Sequence, residues 1–390
     1  MKKFDEIEQL IEQNKSNHDM GYYNCIPFDI FPRLEKYIPG ITQGTQYIIT
    51  GATASAKSKI SRYLFIHNPY YYVKNNPQLG IDLDIHYFSL EESKEKIYLS
   101  EVARSLKTKY NISVSINDLR SVGKHNTIPK ELFPKIKECE KEIQMFMDKV
   151  IIYDKFEANP TGVYKIMRDV AHKIGRFKSK DGRLFTEHEM NQVKMGIGDT
   201  YKHIGGYELT NPKHYVIILY DNVNIMPTEA GMSLHEAITK LSSDYFLTLK
   251  NNFKMIPVIV HQQAMSKEQM EFTSKGVSID EKLEPSLDGL GDNKLIARDA
   301  EVIFGTFNPA RYNIQVHNGY MITKLKDNYR SLNLLKYRDG VEGRKLPLFF
   351  DGACDFFAEM PKLDDTKTIN KIYNYAKKLA EERAKRTENE

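Results

Sequence analysis

Apolar runs and helical patterns alternate along most of the chain. From Tyr47 onward the runs Tyr47–Thr50, Ile85–Leu90, Val150–Tyr153, Tyr215–Tyr220, Ile256–Val260 and Glu301–Phe304 are short, rich in Val and Ile, and separated by segments of helical spacing. Strands covered by helices on both faces read as continuous runs rather than as alternation. The series therefore predicts an α/β fold, with a mainly parallel sheet flanked by helices. Near the C-terminus, Tyr320–Thr323, Leu332–Leu335 and Leu348–Phe350 predict antiparallel strands that end the sheet. The segment from Thr366 reads as a charged helical tail that frays at Arg383–Glu390. At the other end Phe4, Ile7, Leu10 and Ile11 recur at helical spacing, predicting a short amphipathic helix over residues 2–14 with Asn14–Asn24 as linker. Between Arg176 and Lys213 the pattern lapses into Gly-, Lys- and Asp-rich sequence, which reads as a surface insertion lacking structure of its own. Its lysines leave contact with a polyanion open. The expected organisation is a linker helix and linker at 1–24, one large domain at 25–360 and a tail at 361–390.

A length of 390 residues suits one large domain with appendages, and a net charge of +4 permits a polyanionic partner without demanding one. Cys25, Cys139 and Cys354 are isolated and odd in number, which fits a reducing compartment; the chain reads as cytoplasmic. Neither a targeting signal nor a membrane span is legible, so no membrane partner is expected.

Five segments carry chemistry. The strand Tyr47–Thr50 runs into Gly51-Ala52-Thr53-Ala54-Ser55-Ala56-Lys57-Ser58-Lys59, a phosphate-binding loop in which Ala56 stands where the motif usually has glycine. Such a loop wraps backbone N–H groups round phosphates, brings Lys57 to the β and γ oxygens and sets the Ser58 hydroxyl on Mg²⁺. The next strand ends in Ser89-Leu90-Glu91-Glu92. A carboxylate there can polarise the water that attacks phosphorus, which makes Glu91 the candidate general base and Glu92 the fallback. The competing reading is that these acids serve the N-terminus of the helix that follows. Tyr215–Tyr220 ends in Asp221, suited to the Mg²⁺ shell, although Asp also begins turns. Ile256–Val260 ends in His261-Gln262-Gln263, where an amide can meet the γ-phosphate; Gln263 is preferred over Gln262 and His261. Lys336 and Arg338, two residues apart before Gly340 and Gly343, point to one face of an extended segment. They suit a phosphate on another subunit, and equally suit a charged edge strand that resists aggregation.

Taken in order, these segments resemble the C-terminal motor domain of DnaB-type replicative helicases, members of the RecA-like ring ATPases built on a P-loop NTPase core. The matching pieces are GATASAKS, Ser89-Leu90-Glu91, Ile217-Ile-Leu-Tyr-Asp221, Pro257-Val-Ile-Val-His-Gln-Gln263 and Lys336-x-Arg338-x-Gly340-x-x-Gly343. Leu234–Lys250 resembles the family's helix before the Gln strand, and residues 2–14 its linker helix. The resemblance covers about residues 20–360. It implies a homo-oligomeric ring, a hexamer, that hydrolyses ATP with Mg²⁺ at subunit interfaces and moves on single-stranded DNA with the family's 5′→3′ polarity, in company with a primase or a loader. Lys57, Ser58, Asp221, Glu91 and Gln263 would then act in cis, and Lys336 and Arg338 on the neighbour's nucleotide. Pore loops at Pro227–Met232 and Ala264–Lys294 would touch DNA, with Ser266, Lys267, Lys275 and Lys282 as phosphate contacts. Two other readings use the same residues: a RecA- or KaiC-like ring ATPase that switches or remodels a partner without unwinding DNA, and a degenerate nucleotide-binding structural component.

Overall fold

The apolar runs from Tyr47 to Phe307 all become strands of one nine-stranded sheet in the computed structural model, which describes residues 2–153, 158–196, 199–263 and 280–388. In chain order the strands are β1 (Tyr47–Gly51), β2 (Asp82–Ser89), β3 (Val150–Tyr153), β4 (His214–Asp221), β5 (Ile256–Gln262) and β6 (Val302–Phe307). The series continues with β7 (Tyr329–Tyr337), β8 (Lys345–Asp351) and β9 (Phe356–Glu359). Their order across the sheet is β9-β8-β7-β6-β1-β5-β4-β2-β3. From β6 to β3 every neighbouring pair is parallel, whereas β6–β7, β7–β8 and β8–β9 are antiparallel. This is the mainly parallel sheet with antiparallel closing strands that the sequence predicts.

Alternation along each strand splits the interior into two layers. Tyr47, Ile49, Ile217, Leu219, Val258 and Val260 face one, with Ile60, Leu64, Phe28 and Phe31. Ile48, Val216, Ile218, Tyr220 and Ile259 face the other, with Val163, Met167, Ala237 and Leu249. Each fully buried large apolar side chain contributes about 1.5–3 kcal/mol relative to exposure, which explains why the central strands tolerate almost no polar residue before their C-terminal ends. The segment Leu234–Phe253 covers the second layer as one helical rod that passes through a π turn at Lys240–Phe246.

Three expectations change. The 176–213 insertion is built rather than loose: Gly175–Ser179 pairs antiparallel with Ile204–Leu209, and the helix Glu187–Met195 begins with a Thr186/Glu189 capping box. Phe177 and Tyr207 pack edge-on against Phe253, at ring-centroid distances of 6.0 and 4.9 Å, so the hairpin joins the second core layer. Its apolar residues are too widely spaced to show a period. Tyr320–Thr323 is a strand only at Tyr320–Met321; Ile322–Leu325 turns helical because Ile322 and Leu325, three apart, bury against the C-terminal helix. That helix runs Thr366–Glu388, into the segment expected to fray, and seats Ile369, Tyr373, Ala376 and Leu379 on the antiparallel end of the molecule.

At the N-terminus the helix runs further than expected, Lys2–Asp19, and its apolar positions Phe4, Ile7, Leu10 and Ile11 are 70%, 52%, 59% and 62% exposed. The chain then enters the core at Tyr22, whose hydroxyl lies 2.7 Å from that of Tyr215. Among the described residues no helix is long and apolar enough to cross a membrane.

Candidate active site

Register places the ends of five strands at one edge of the sheet. Gly51 lies beside Gln262 and Thr306, and Asp221 beside Ser89 and Val260. Glycine at 51 is dictated by contact, since a Cβ there would come within 2.4 Å of Thr306 Oγ1 and 2.7 Å of Ser55 Oγ. After it the chain turns through two left-handed residues, Ala54 (φ 61°) and Ala56 (φ 71°), before the helix Lys57–Arg62 begins. A residue with a Cβ pays roughly 1–2 kcal/mol for that conformation, which is why the motif favours glycine at position 56. The loop bears the cost because it is held from within. Ser55 Oγ donates to the Ala52 carbonyl at 2.7 Å and lies 2.7 Å from Thr306 Oγ1, and Lys57 Nζ donates to the Ala52 carbonyl at 2.9 Å.

Ser58 and Asp221 meet below the loop. Ser58 Oγ donates to Asp221 Oδ1 at 2.9 Å, and the Tyr87 hydroxyl donates to Oδ2 at 3.1 Å. Burial pushes the Asp221 carboxyl up to about 6, with the nearby Glu91 charge adding to the rise. A hydroxyl and a buried carboxylate in want of a cation form a hard oxygen donor set, the chemistry that suits Mg²⁺. Among the described residues no cluster of three or more His, Cys, Asp or Glu could hold a metal. A cation here would rest on Ser58, Asp221 and the phosphates it accompanies.

The two acids after β2 are separated by their partners. Glu92 accepts from Arg62, a buried guanidinium that also donates to Asp355 at 2.8 Å, so its charge is spent within the fold. Glu91 is exposed at the edge, and the Asn222 amide donates to its Oε1. The glutamines divide the other way from the expectation. Gln262 Nε2 donates to Thr53 Oγ1 at 2.6 Å and so touches the loop. Gln263 turns to the opposite face, donates to the Ser286 carbonyl at 3.0 Å and packs against Gly289. The strand alternates sides, and Gln262 shares the face of Val258 and Val260 on which the helix after the loop lies. His261, 2% exposed, is pushed down to about 4 by burial and then by the Lys57 charge, so it stays neutral.

Lys59, counted with the loop, does not face it: its Nζ lies 2.5 Å from Asp355 and donates to the Gly352 carbonyl. It ties the helix after the loop to the β8–β9 turn. Lys336 and Arg338 lie at the opposite edge. Lys336 pairs with Ile303, three residues and roughly 10 Å below the level of the loop. Its Nζ donates to the carbonyls of Ala297 and Ala300, at 2.6 and 2.7 Å, and Arg338 pairs with Glu301 at 3.0 Å. Neither can reach the loop of its own chain. Lys282 is exposed on the short turn Asp280–Leu283, while Ser266, Lys267 and Lys275 lie outside the described residues. In the Pro227–Met232 loop, Glu229 is held by Lys240 and Thr161.

Sequence reasoning missed Arg62, Tyr87, Asn222 and Asp355. Asn222 follows Asp221 and was legible as a strand-end residue; the others became visible only through contact. It also missed an open cavity of about 590 Å³ beside the loop, lined by Ala54, Asn308, Arg311, Asn313, Thr323 and Asp327.

No protein-family model and no curated protein sequence matches the chain. Solved structures with a similar fold include two that cover most of this chain. The ATPase domain of G40P is 14% identical, with a TM-score of 0.60, over 92% of this chain and 98% of that one. This chain shares the fold of that ATPase domain. A DnaB-like replicative helicase, described with its interactions with primase, is 14% identical with a TM-score of 0.58; the match covers 85% of this chain and 62% of that longer one. The α/β fold is therefore shared with these structures, and the candidate-site geometry above belongs to this chain's own residues.

Proposed function

We propose that this chain is an ATP-hydrolysing ring motor that moves on single-stranded DNA, a helicase or translocase of the DnaB type. The observation that carries the reading is the division of charged groups between two edges of one sheet. Lys57, Ser58, Asp221, Glu91 and Gln262 gather at the loop edge, whereas Lys336 and Arg338 stand at the opposite edge, away from the loop of their own chain, which supports a role on a neighbouring subunit's nucleotide.

In this reading the N–H groups of 52–58 and Lys57 hold the phosphates, and the cavity beside Ala54 takes the nucleoside. Ser58 and Asp221 would hold Mg²⁺, which when bound neutralises phosphate oxygens. Glu91, oriented by Asn222, takes the proton from the attacking water. Gln262 reports the γ-phosphate to the loop that follows β5, a reading that its contact with Thr53 favours over Gln263. Arg338 and Lys336 of one subunit neutralise charge developing on the phosphoryl group of the next, so hydrolysis requires assembly. The exposed apolar face of Lys2–Asp19 docks on a neighbouring copy. Six copies, the family's 5′→3′ polarity, and a primase or loader as partner complete the proposal, the last supported by the neighbour described with primase.

The test is ATP hydrolysis with and without single-stranded DNA, followed by strand displacement on a forked substrate. DNA-stimulated turnover with displacement supports the helicase. Hydrolysis indifferent to DNA would sink it in favour of a ring ATPase that switches a partner.

A further inference from the structure

Arg330 is the buried cation that the reading above leaves without a task. It is the second residue of β7 and shares the side of Leu332 and Leu334, beside the phosphate loop; the residue is 7% exposed. Its guanidinium lies 4.7 Å from the Phe350 ring centroid and donates to the carbonyls of Asp327 and Tyr329, at 2.9 and 2.7 Å. The remaining terminal nitrogen donates to the Ala54 carbonyl at 3.4 Å, and Nε has no hydrogen-bond partner. Among the described residues no carboxylate stands within ion-pair distance of it. Burial pulls the guanidinium down to about 10, with Asp327 only partly opposing.

A buried charge without a counter-charge is costly, and natural proteins keep one only where something compensates it. The contrast with Arg62 is direct, since that equally buried arginine meets two carboxylates. The group Arg330 touches in the loop is Ala54, one of its two left-handed residues. By holding the carbonyl of Ala54, the guanidinium fixes the peptide whose orientation decides where the loop N–H groups point. Its positive charge is screened by carbonyl dipoles and one aromatic face, and the one full negative charge acting on it, Asp327, lies beyond ion-pair distance.

We propose that Arg330 is a positioning residue for nucleotide phosphates: it holds the Ala54 turn in the phosphate-binding conformation, and its buried charge is compensated when the polyphosphate of a nucleotide occupies the loop. The ligand class is a nucleoside di- or triphosphate, and the effect acts through the phosphates, not the base. The proposal rests on the phosphate-loop reading and adds a residue that the loop motif does not contain.

Two quantities moving in opposite directions test it. Arg330→Met removes an uncompensated buried charge while keeping apolar bulk over Phe350. The free protein should therefore melt at the same temperature as wild type or higher, while its affinity for ADP with Mg²⁺ falls roughly tenfold, the scale expected when one nearby unit charge is lost. Arg330→Lys keeps the charge and should recover most of that affinity. Arg330→Gln, which keeps donors without charge, should behave like Arg330→Met and serves if the methionine variant does not fold. Titration calorimetry gives the affinities and a thermal melt gives the stabilities. Equal ADP affinity in wild type and the neutral variants overturns the proposal alone. So does a loss of affinity accompanied by an equal loss of stability and not recovered by lysine, which marks a merely structural arginine. A wild type that does not bind ADP overturns the nucleotide reading itself.

Discussion

His261 offers the sharpest test of the electrostatics around the loop. The imidazole sits in the centre of the sheet, 2% exposed, and burial and then Lys57 lower it from its ordinary 6.5 to about 4. A histidine whose folded value is depressed binds fewer protons in the native state than in the unfolded chain. Its contribution is therefore complete above pH 6.5 and is lost as pH falls from 6.5 toward 4. The full shift of about 2.5 units corresponds to about 3 kcal/mol, of which about 2 kcal/mol is already lost at pH 5. His86 is also depressed to about 4 by burial and adds a similar loss, so wild-type acid sensitivity alone does not isolate one residue. A variant does. Urea unfolding of wild type and His261→Gln at pH 7.5 and at pH 5 should show the stability difference moving by about 2 kcal/mol in favour of the variant on acidification. A difference that stays constant between the two pH values would refute the reasoning, because it would mean that His261 titrates alike in the folded and unfolded chain.

Three further outcomes follow from the site. Ala56→Gly relieves a left-handed alanine costing roughly 1–2 kcal/mol, against about 0.4–1 kcal/mol of added freedom in the unfolded chain, so a melt should rise by about 1 °C and nucleotide turnover should persist. Glu91→Gln should lower the turnover number about a hundredfold or more while leaving ATP binding intact; Glu92→Gln, which breaks the contact with Arg62, should instead lower thermal stability, and the reverse pattern would exchange their roles. Arg338→Ala should abolish hydrolysis while sparing nucleotide binding, and adding Lys57→Ala protomers should restore partial activity in mixed assemblies. Absence of any restoration would count against action between subunits.

The parallel sheet was legible because burial on both faces leaves a local mark, the uninterrupted Val and Ile run ending in a polar residue. The same mark located Gly51, Asp221 and the acids after Leu90, since strand ends in such sheets converge on one edge. The built hairpin at 175–209 left no such mark. Its few apolar side chains find their partner, Phe253, far along the chain, and only the packed structure brings them together. The helical turn at Ile322–Leu325 was misjudged for the same reason, its apolar pair being claimed by a helix more than forty residues away.

By itself, the sequence determined the fold class, the phosphate loop and the set of residue types available at the strand ends. Tertiary structure decided between chemically equivalent neighbours. Glu91 is separated from Glu92 by Arg62, Gln262 from Gln263 by the side of β5 that each faces, and Lys59 from Lys57 by Asp355. Identical functional groups one or two residues apart differ only in where the backbone points them and in what already neutralises them, and both depend on residues distant in the chain.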